Sequence, residues 1–316
     1  GGDNTHVIGI QGNFDDAQTG VKNLFSSADF NAQVNAKGKV LSSANSINFG
    51  RLVPQIVYYF SAYADLLKAG TISLGDPVNF VVPTGNFGNI LAAYYARNMG
   101  LPVGKLICAS NRNNVLTDFF RSGIYDTRRT FFKTTSPSMD ILISSNLERL
   151  LYECADRDGD LVATWMKQLK EKYTYAIGEQ RQEWMNDVFD AGYCDDMQCA
   201  AEIRARFEQD HYLMDTHTAV ASHVLKEYRE KTGDMTVAVI VSTASPYKFA
   251  QDVLSAVEGK EAVNGLDAFQ CSEMLEKVTG VKVPQQVKEL RNLPVRHKQQ
   301  CLKDKMAEAV MEAFGK

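Results

Sequence analysis

Apolar positions along the 316-residue chain alternate between short runs of β-branched residues and longer stretches of helical spacing, the pattern of an α/β protein. Thr5 to Ile10 alternates and predicts a short strand, and Asn13-Phe14-Asp15-Asp16 reads as the capped start of a helix running from about Asp15 to Phe25. Val40-Leu41-Ser42-Ser43 predicts a second short strand. A polar turn from Ala44 to Asn48 then leads into a long amphipathic helix that ends near Gly70, with Pro54 in its first turns, where proline is tolerated. Next come a strand around Phe80, a helix from Ile90 to Met99 and a strand from Lys105 to Ser110, spaced as a βαβ crossover and therefore predicting a parallel sheet. Helical periodicity dominates from about 146 to 231, broken at Gly159, Gly178, Gly192 and Asp215-Thr216, and a last buried strand is predicted from Thr236 to Ser242. Beyond Gly259 the pattern is polar and helical, with turns at Gly265, Gly280, Pro284 and Pro294 and a closing charged helix from about Lys298 to Phe314, a peripheral packing extension.

With 45% hydrophobic and 23% charged residues, the chain has an ordinary globular balance and enough length for one large or two medium domains. Its 34 basic and 38 acidic residues give a net charge of −4 with no long single-sign block, so neither nucleic acid nor an anionic membrane surface is an expected partner. Cys108, Cys154, Cys194, Cys199, Cys271 and Cys301 are scattered, and the spacing of Cys194 to Cys199 matches no common zinc pattern. Free thiols in a reducing cytoplasm are expected, and no metal. The first residues lack a basic region followed by an apolar core, and no run approaches membrane-spanning length.

The chemistry concentrates at three polar strand-to-helix junctions, which in an open parallel sheet gather at the C-terminal strand ends where ligands bind. In Val78-Asn79-Phe80-Val81-Val82-Pro83-Thr84-Gly85-Asn86-Phe87-Gly88-Asn89-Ile90, a strand runs through a glycine-containing turn straight into a helix. Gly85 and Gly88 would let the backbone turn tightly and approach a ligand, while the free N–H groups and dipole of the helix N-terminus attract an anion. No Lys or Arg lies between Val78 and Tyr95, which suits a resident cofactor phosphate better than an exchanging Mg-nucleotide. The loop has neither the Gly-Lys-Ser/Thr of a P-loop nor the Gly-x-Gly of a dinucleotide fingerprint, and by itself it fits a plain turn as well as an anion site.

At the first junction, Ser46, Asn48 and Arg51 could converge on one oxyanion, Arg51 with a bidentate guanidinium. Equally, Asn45 or Ser46 could cap the helix and Arg51 lie on the surface. At the third, Thr243 could offer a neutral hydroxyl to a heteroaromatic nitrogen, or Thr243 or Ser245 could merely cap the helix before Pro246. His217, in Asp215-Thr216-His217-Thr218-Ala219, could act as a general base or as a structural histidine.

Taken in order, Ser43-Ala44-Asn45-Ser46-Ile47-Asn48-x-x-Arg51, Pro83-Thr84-Gly85-Asn86-Phe87-Gly88-Asn89, Asp215-Thr216-His217-Thr218-Ala219 and Ser242-Thr243-Ala244-Ser245-Pro246-x-Lys248-Phe249 closely resemble threonine synthase of the bacterial and fungal type. The resemblance covers most of the chain. It implies a pyridoxal-phosphate (PLP) enzyme of fold type II, the tryptophan-synthase-β group, a lyase converting O-phospho-L-homoserine and water to L-threonine and phosphate. On that basis Thr84, Gly85, Asn86, Phe87, Gly88 and Asn89 would hold the cofactor phosphate, and Thr243 would pair with the pyridine nitrogen. Ser46, Asn48 and Arg51 would receive the substrate phosphate, with Asp215 to Ala219 close by in an unassigned role.

The resemblance also implies a Schiff-base lysine in a Phe-Lys-Asp setting and a Ser-Gly-Asp-Thr-Gly loop, and this sequence contains neither; Lys133 and Lys248 occupy other positions. The expected layout is therefore an open, mostly parallel sheet with flanking helices, incomplete at its N-terminus. Residues 1–42 would be a remnant of a smaller cofactor-flanking subdomain. Residues 43–258 would form the cofactor domain with its helical insertion at about 146–231, and 259–316 a helical extension. By itself such a chain is expected to be inactive. A non-catalytic domain binding a phosphorylated ligand or pairing with a subunit, or another PLP lyase or dehydratase of the same fold group, are the competing expectations.

Overall fold

The structure is a computed structural model in which residues 4–12, 14–42 and 45–314 are described, apart from the side chains of residues 14, 15 and 18. The chain divides into two compact units, Gly1–Ala44 with Glu289–Lys316, and Asn45–Lys288. The extension expected from 259 onward is thus shared out, 259–288 belonging to the larger unit and the remainder to the smaller.

The smaller unit begins with strand β1 (Gly9–Gln11) and helices α1 (Phe14–Ser26) and α2 (Ala28–Ala36). Residues 40–42, expected in a strand, are not in one; Ser43 and Ala44 lie outside the described residues.

In the larger unit the helix expected from Asn48 to Gly70 is broken into α3 (Phe49–Leu52), a 3-10 turn at Val53–Gln55 and α4 (Ile56–Lys68). Pro54 has no N–H to give to an α-helical bond, so the turn tightens around it. There follow β2 (Val78–Pro83), α5 (Gly88–Asn98), β3 (Val103–Ser110), α6 (Val115–Ser122), β4 (Ile124–Asp126), α7 (Leu147–Cys154) and α8 (Gly159–Lys172). The unit continues with β5 (Thr174–Ala176), α9 (Glu179–Val188), β6 (Phe189–Tyr193), α10 (Asp196–Asp210), α11 (Thr216–Thr232), β7 (Ala238–Ile240), α12 (Ala250–Glu258) and α13 (Ala268–Thr279). A short helix, α14 (Gln285–Leu290), crosses the division.

The smaller unit resumes with β8 (Gln300–Leu302), which pairs in parallel with β1, and ends in α15 (Met306–Ala313). Helix was expected across 298–314. Its first part is instead held extended by strand pairing to the opposite end of the sequence, with Ile10 opposite Cys301.

The larger unit is built on a four-stranded parallel sheet in the order β6-β3-β2-β7. All six residues of β2 are buried, as expected of an inner strand covered on both faces. Alternate side chains serve opposite cores: Phe80 and Val82 face α4 and α5 with Leu106 and Phe189, whereas Val81 packs with Ile107, Val220 and Leu254. Two expectations are corrected. The run 146–231 is not helical throughout, because β6 lies within it as an edge strand, its Gly192 backed so closely by α11 that a Cβ would meet Val224 Cγ1 at 2.8 Å. The last strand is shorter than expected and only half-buried, because β7 is the other edge. The resulting α/β architecture, a parallel sheet with helices on both faces, brings the ends of β2, β3 and β7 together.

Candidate functional site

The glycine loop sits where β2 ends beside β3: Pro83 is opposite Ala109, and Thr84 donates its N–H to the Ala109 carbonyl at 2.8 Å. Buried Thr84 donates its hydroxyl to the carbonyl of Val82 at 2.7 Å, so its proton is committed and only its lone pairs face elsewhere. The glycines do a different job from the one their type suggests. The left-handed residue is Phe87 (φ 65°), which occupies the N-cap position of α5, while Gly85 and Gly88 do not have positive φ. A Cβ on Gly85 would meet the Ser138 carbonyl oxygen at 2.9 Å, and one on Gly88 would lie 3.3 Å from Asn146 Nδ2. Both glycines therefore admit neighbouring protein. Phe87 is held in its strained conformation by its ring, which stacks with Phe120 at 6.1 Å and contacts Phe189 at 6.0 Å between centroids.

With phenylalanine at the N-cap, no side chain caps α5, and no acidic residue occupies its first turn. The N–H groups of that turn have no intrahelical acceptor and point along the positive end of the helix dipole. Two side chains of the loop are tied to neighbours. Asn86 Oδ1 accepts from the Ser145 hydroxyl at 3.3 Å, and Asn89 Oδ1 accepts from the Tyr59 hydroxyl at 2.7 Å. Both bonds use the amide oxygens, so the Nδ2 donors of Asn86 and Asn89 stand beside the backbone N–H groups as groups able to face an anion.

A wall of the loop that the sequence reading did not single out comes from residues 134–146. Asn111 and Asn113 donate side-chain N–H groups to Asp140 Oδ1 at 2.8 and 2.9 Å, and the Thr134 hydroxyl donates to the same oxygen at 2.7 Å. Ser144 donates to the Gly85 carbonyl at 2.7 Å. Asn146, fully buried, donates from Nδ2 to the carbonyls of Asn86 at 3.0 Å and Ser46 at 3.2 Å, and its Oδ1 is buried without a partner. The available signal was Thr134-Thr135-Ser136-Pro137-Ser138-Met139-Asp140, a hydroxyl-rich turn closed by a carboxylate.

At the first junction Ser46 lies beside the loop, its Cβ 4.0 Å from where a Gly88 Cβ would be. Asn48 is the N-cap of α3, with Oδ1 accepting from Gly50 N–H at 2.9 Å, and the side chain of Asn45 accepts from Ser46 Oγ and Ile47 N–H. Arg51 is exposed on α3. Of the three, Ser46 lies against the glycine loop, its carbonyl also accepting from Asn146 Nδ2 at 3.2 Å. At the third junction Thr243 is exposed just beyond β7, and the helix-starting turn is capped by Ser245, which accepts from Tyr247 N–H at 3.3 Å.

Asp215 and His217 are both buried, and Asp215 caps α11. Burial alone would raise the Asp215 carboxyl, but bonds from His217 and Thr218 outweigh it and hold the group below its usual range. His217 Nδ1 lies 3.1 Å from Asp215 Oδ1, and Nε2 accepts the Ser138 N–H at 3.3 Å. Since a backbone N–H only donates, Nε2 is the unprotonated nitrogen and the proton sits on Nδ1. Both nitrogens are engaged, which leaves no lone pair for a general base. A cavity of about 740 Å³ lies between α10, α11 and β7, lined by Glu202, Thr218, Leu225, Arg229 and Ile240 among others, and none of the glycine-loop residues lines it. Among the described residues there is no group of ligands able to hold a metal ion, and no helix long and apolar enough to cross a membrane.

Residues 218–314 match the family described as threonine synthase, C-terminal. The structure of PLP-bound threonine synthase from Brucella melitensis superposes with a TM-score of 0.81 at 35% identity, covering 99% of this chain and 60% of that one. The chain belongs to the threonine synthase family. Among curated members, threonine synthase from Pseudomonas aeruginosa is 40% identical over 262 residues, 82% of this chain and 52% of that protein. Threonine synthase-like 1 from Homo sapiens is 45% identical over 261 residues, 82% of this chain and 35% of that protein. The chain thus spans between about a third and a half of the length of these threonine synthase relatives.

Proposed function

We propose that this chain carries the phosphate-binding side of a pyridoxal-phosphate site in an enzyme that converts O-phospho-L-homoserine and water to L-threonine and phosphate. The observation that carries the reading is the uncapped N-terminus of α5 at the C-terminal edge of a parallel sheet, with no acidic residue in its first turn. Its fit to a phosphate is supported by the absence of Lys and Arg between Val78 and Tyr95, which leaves the binding to backbone N–H groups and neutral side-chain donors. The backbone of Gly85, Asn86, Phe87, Gly88 and Asn89 would hold the cofactor phosphate, the Thr84 hydroxyl oxygen would remain an acceptor, and Thr243 would meet the pyridine nitrogen. A neutral hydroxyl there leaves that nitrogen unprotonated, whereas a carboxylate would not. When bound, the cofactor supplies an electron sink for carbanion chemistry next to the substrate nitrogen.

Ser46, beside Gly88, together with Asn48 and Arg51 would form the pocket for the substrate phosphate, Arg51 contributing a planar pair of donors. The six cysteines are free thiols, which accords with a cytoplasmic setting. A protein of these 316 residues alone would not turn over, because neither Lys133 nor Lys248 has the Phe-Lys-Asp setting of the family's Schiff-base lysine.

Supplying O-phosphohomoserine and pyridoxal phosphate to the full-length gene product should release phosphate and form threonine. No release by that protein would remove the reading in favour of a non-catalytic phosphate-ligand domain, and release without threonine would point to another PLP lyase of the group.

A further inference from the structure

The Asp215 motif links two of the junctions. The Thr218 hydroxyl is hydrogen-bonded to Asp215 Oδ2 and lies 3.2 Å from the Ser242 hydroxyl. A hydroxyl has one proton, and an ionised carboxylate can only accept, so Thr218 donates to Asp215 and Ser242 donates to Thr218. On its other oxygen Asp215 takes the His217 backbone N–H at 2.8 Å and the Nδ1 proton at 3.1 Å. His217 Nε2 then receives the N–H of Ser138, whose carbonyl abuts Gly85. His217 is also fixed from the side by the Phe249 ring, 4.8 Å away between centroids.

We propose that Asp215, His217 and Thr218 are positioning residues, the buried centre of a relay that runs from Ser242 through Thr218, Asp215 and His217 to Ser138 and holds the end of β7 and the turn behind the glycine loop in fixed register. Asp215 is the hub, and its two oxygens serve the two arms separately. The functional meaning rests on the reading above, in which Thr243 and the glycine loop grip opposite ends of one cofactor. A shift of either arm would then misplace one end relative to the other. The three central side chains, Asp215, His217 and Thr218, are buried and hydrogen-bonded, an arrangement that resists local opening, while Ser242 and Ser138 at the two ends are exposed.

Hydrogen exchange on the ligand-free chain tests the relay without involving the cofactor. H217N keeps a donor near Asp215 but cannot reach Ser138. Loss of that bond should speed exchange by about fivefold at Ser138 to Asp140 and in the glycine loop, leaving 242–245 unchanged. H217Q, whose carbonyl reaches the Ser138 N–H, should restore protection. T218V, which keeps volume and removes the hydroxyl, should loosen 242–245 alone, and D215N should loosen both segments. Uniform acceleration across Asn45–Lys288 in H217N and T218V, or no acceleration at the named segments, would overturn the relay; these two variants decide the matter even if D215N fails to fold. Failure here would leave the cofactor reading intact, and failure to bind pyridoxal phosphate in the full-length protein would leave the relay intact.

Discussion

The backbone N–H and the side-chain amide of Asn146 both donate to the carbonyl of Asn86, each at 3.0 Å. One residue 60 positions away therefore fixes the orientation of the peptide unit that precedes Phe87, and with it the direction of the N–H groups opening α5. Replacing Asn146 with Leu removes the side-chain bonds to Asn86 and Ser46 while keeping the backbone one. A loss of about 1–3 kcal/mol in urea unfolding is expected, together with weaker retention of pyridoxal phosphate by the full-length protein. An unchanged unfolding midpoint would show that the backbone bond suffices.

Phe87 trades backbone strain for ring packing. Its side chain is 1% exposed among Phe120 and Phe189, so F87A should cost about 3–5 kcal/mol through the cavity it leaves, with no relief of the positive φ because alanine keeps the Cβ. F87L should cost less. Urea denaturation of both variants checks the order, and a loss in F87A below that in F87L would contradict it.

Asp215 makes stability depend on pH in a definite direction. Its folded pKa is lowered by the bonds from His217 and Thr218 in spite of burial, so its contribution is complete above the unfolded value of about 3.9 and is lost as pH falls from there through the folded value. D215N should lower stability at pH 7 and flatten the acid limb of the stability profile. Parallel limbs in wild type and D215N, measured by thermal unfolding between pH 3 and 7, would show that this carboxylate is not responsible.

Thiol chemistry should discriminate sharply among the cysteines. Burial pushes the Cys108, Cys154 and Cys199 thiols up to about 12, and Cys194 and Cys271 are raised and buried too, whereas Cys301 is half-buried. Brief iodoacetamide treatment at pH 8 should modify Cys301 first, the other five reacting only on unfolding. Peptide mapping reads this directly, and early labelling of Cys108 would mean that β3 is less enclosed than described.

Arg51 provides a test of the proposed substrate-phosphate pocket. In the full-length enzyme R51A should raise KM for the phosphorylated substrate by about tenfold or more while leaving an unphosphorylated analogue little affected. Equal effects on both would take Arg51 out of that pocket.

Local patterning determined a good deal. The apolar run ending at Pro83, the glycine turn and the helix after it specified a βαβ unit, because strand and helix periods are properties of neighbouring residues. The ordered motifs from Ser43 to Phe249 carried the family. What local patterning could not determine were features made by distant partners. β6 looks helical until β3 captures it; Gln300-Cys301-Leu302 looks helical until β1 does. The glycines of the cradle suggest backbone freedom, yet Gly85 and Gly88 are small because Ser138 and Asn146 crowd them, while the left-handed turn falls to Phe87 under the pressure of its aromatic neighbours. His217 offers an imidazole to any sequence reading; only the Ser138 N–H on one nitrogen and the Asp215 carboxylate near the other decide that it positions rather than reacts. Periodicity resides in the order of residues, whereas steric exclusion and hydrogen-bond partnership arise only when segments far apart in the chain are packed together.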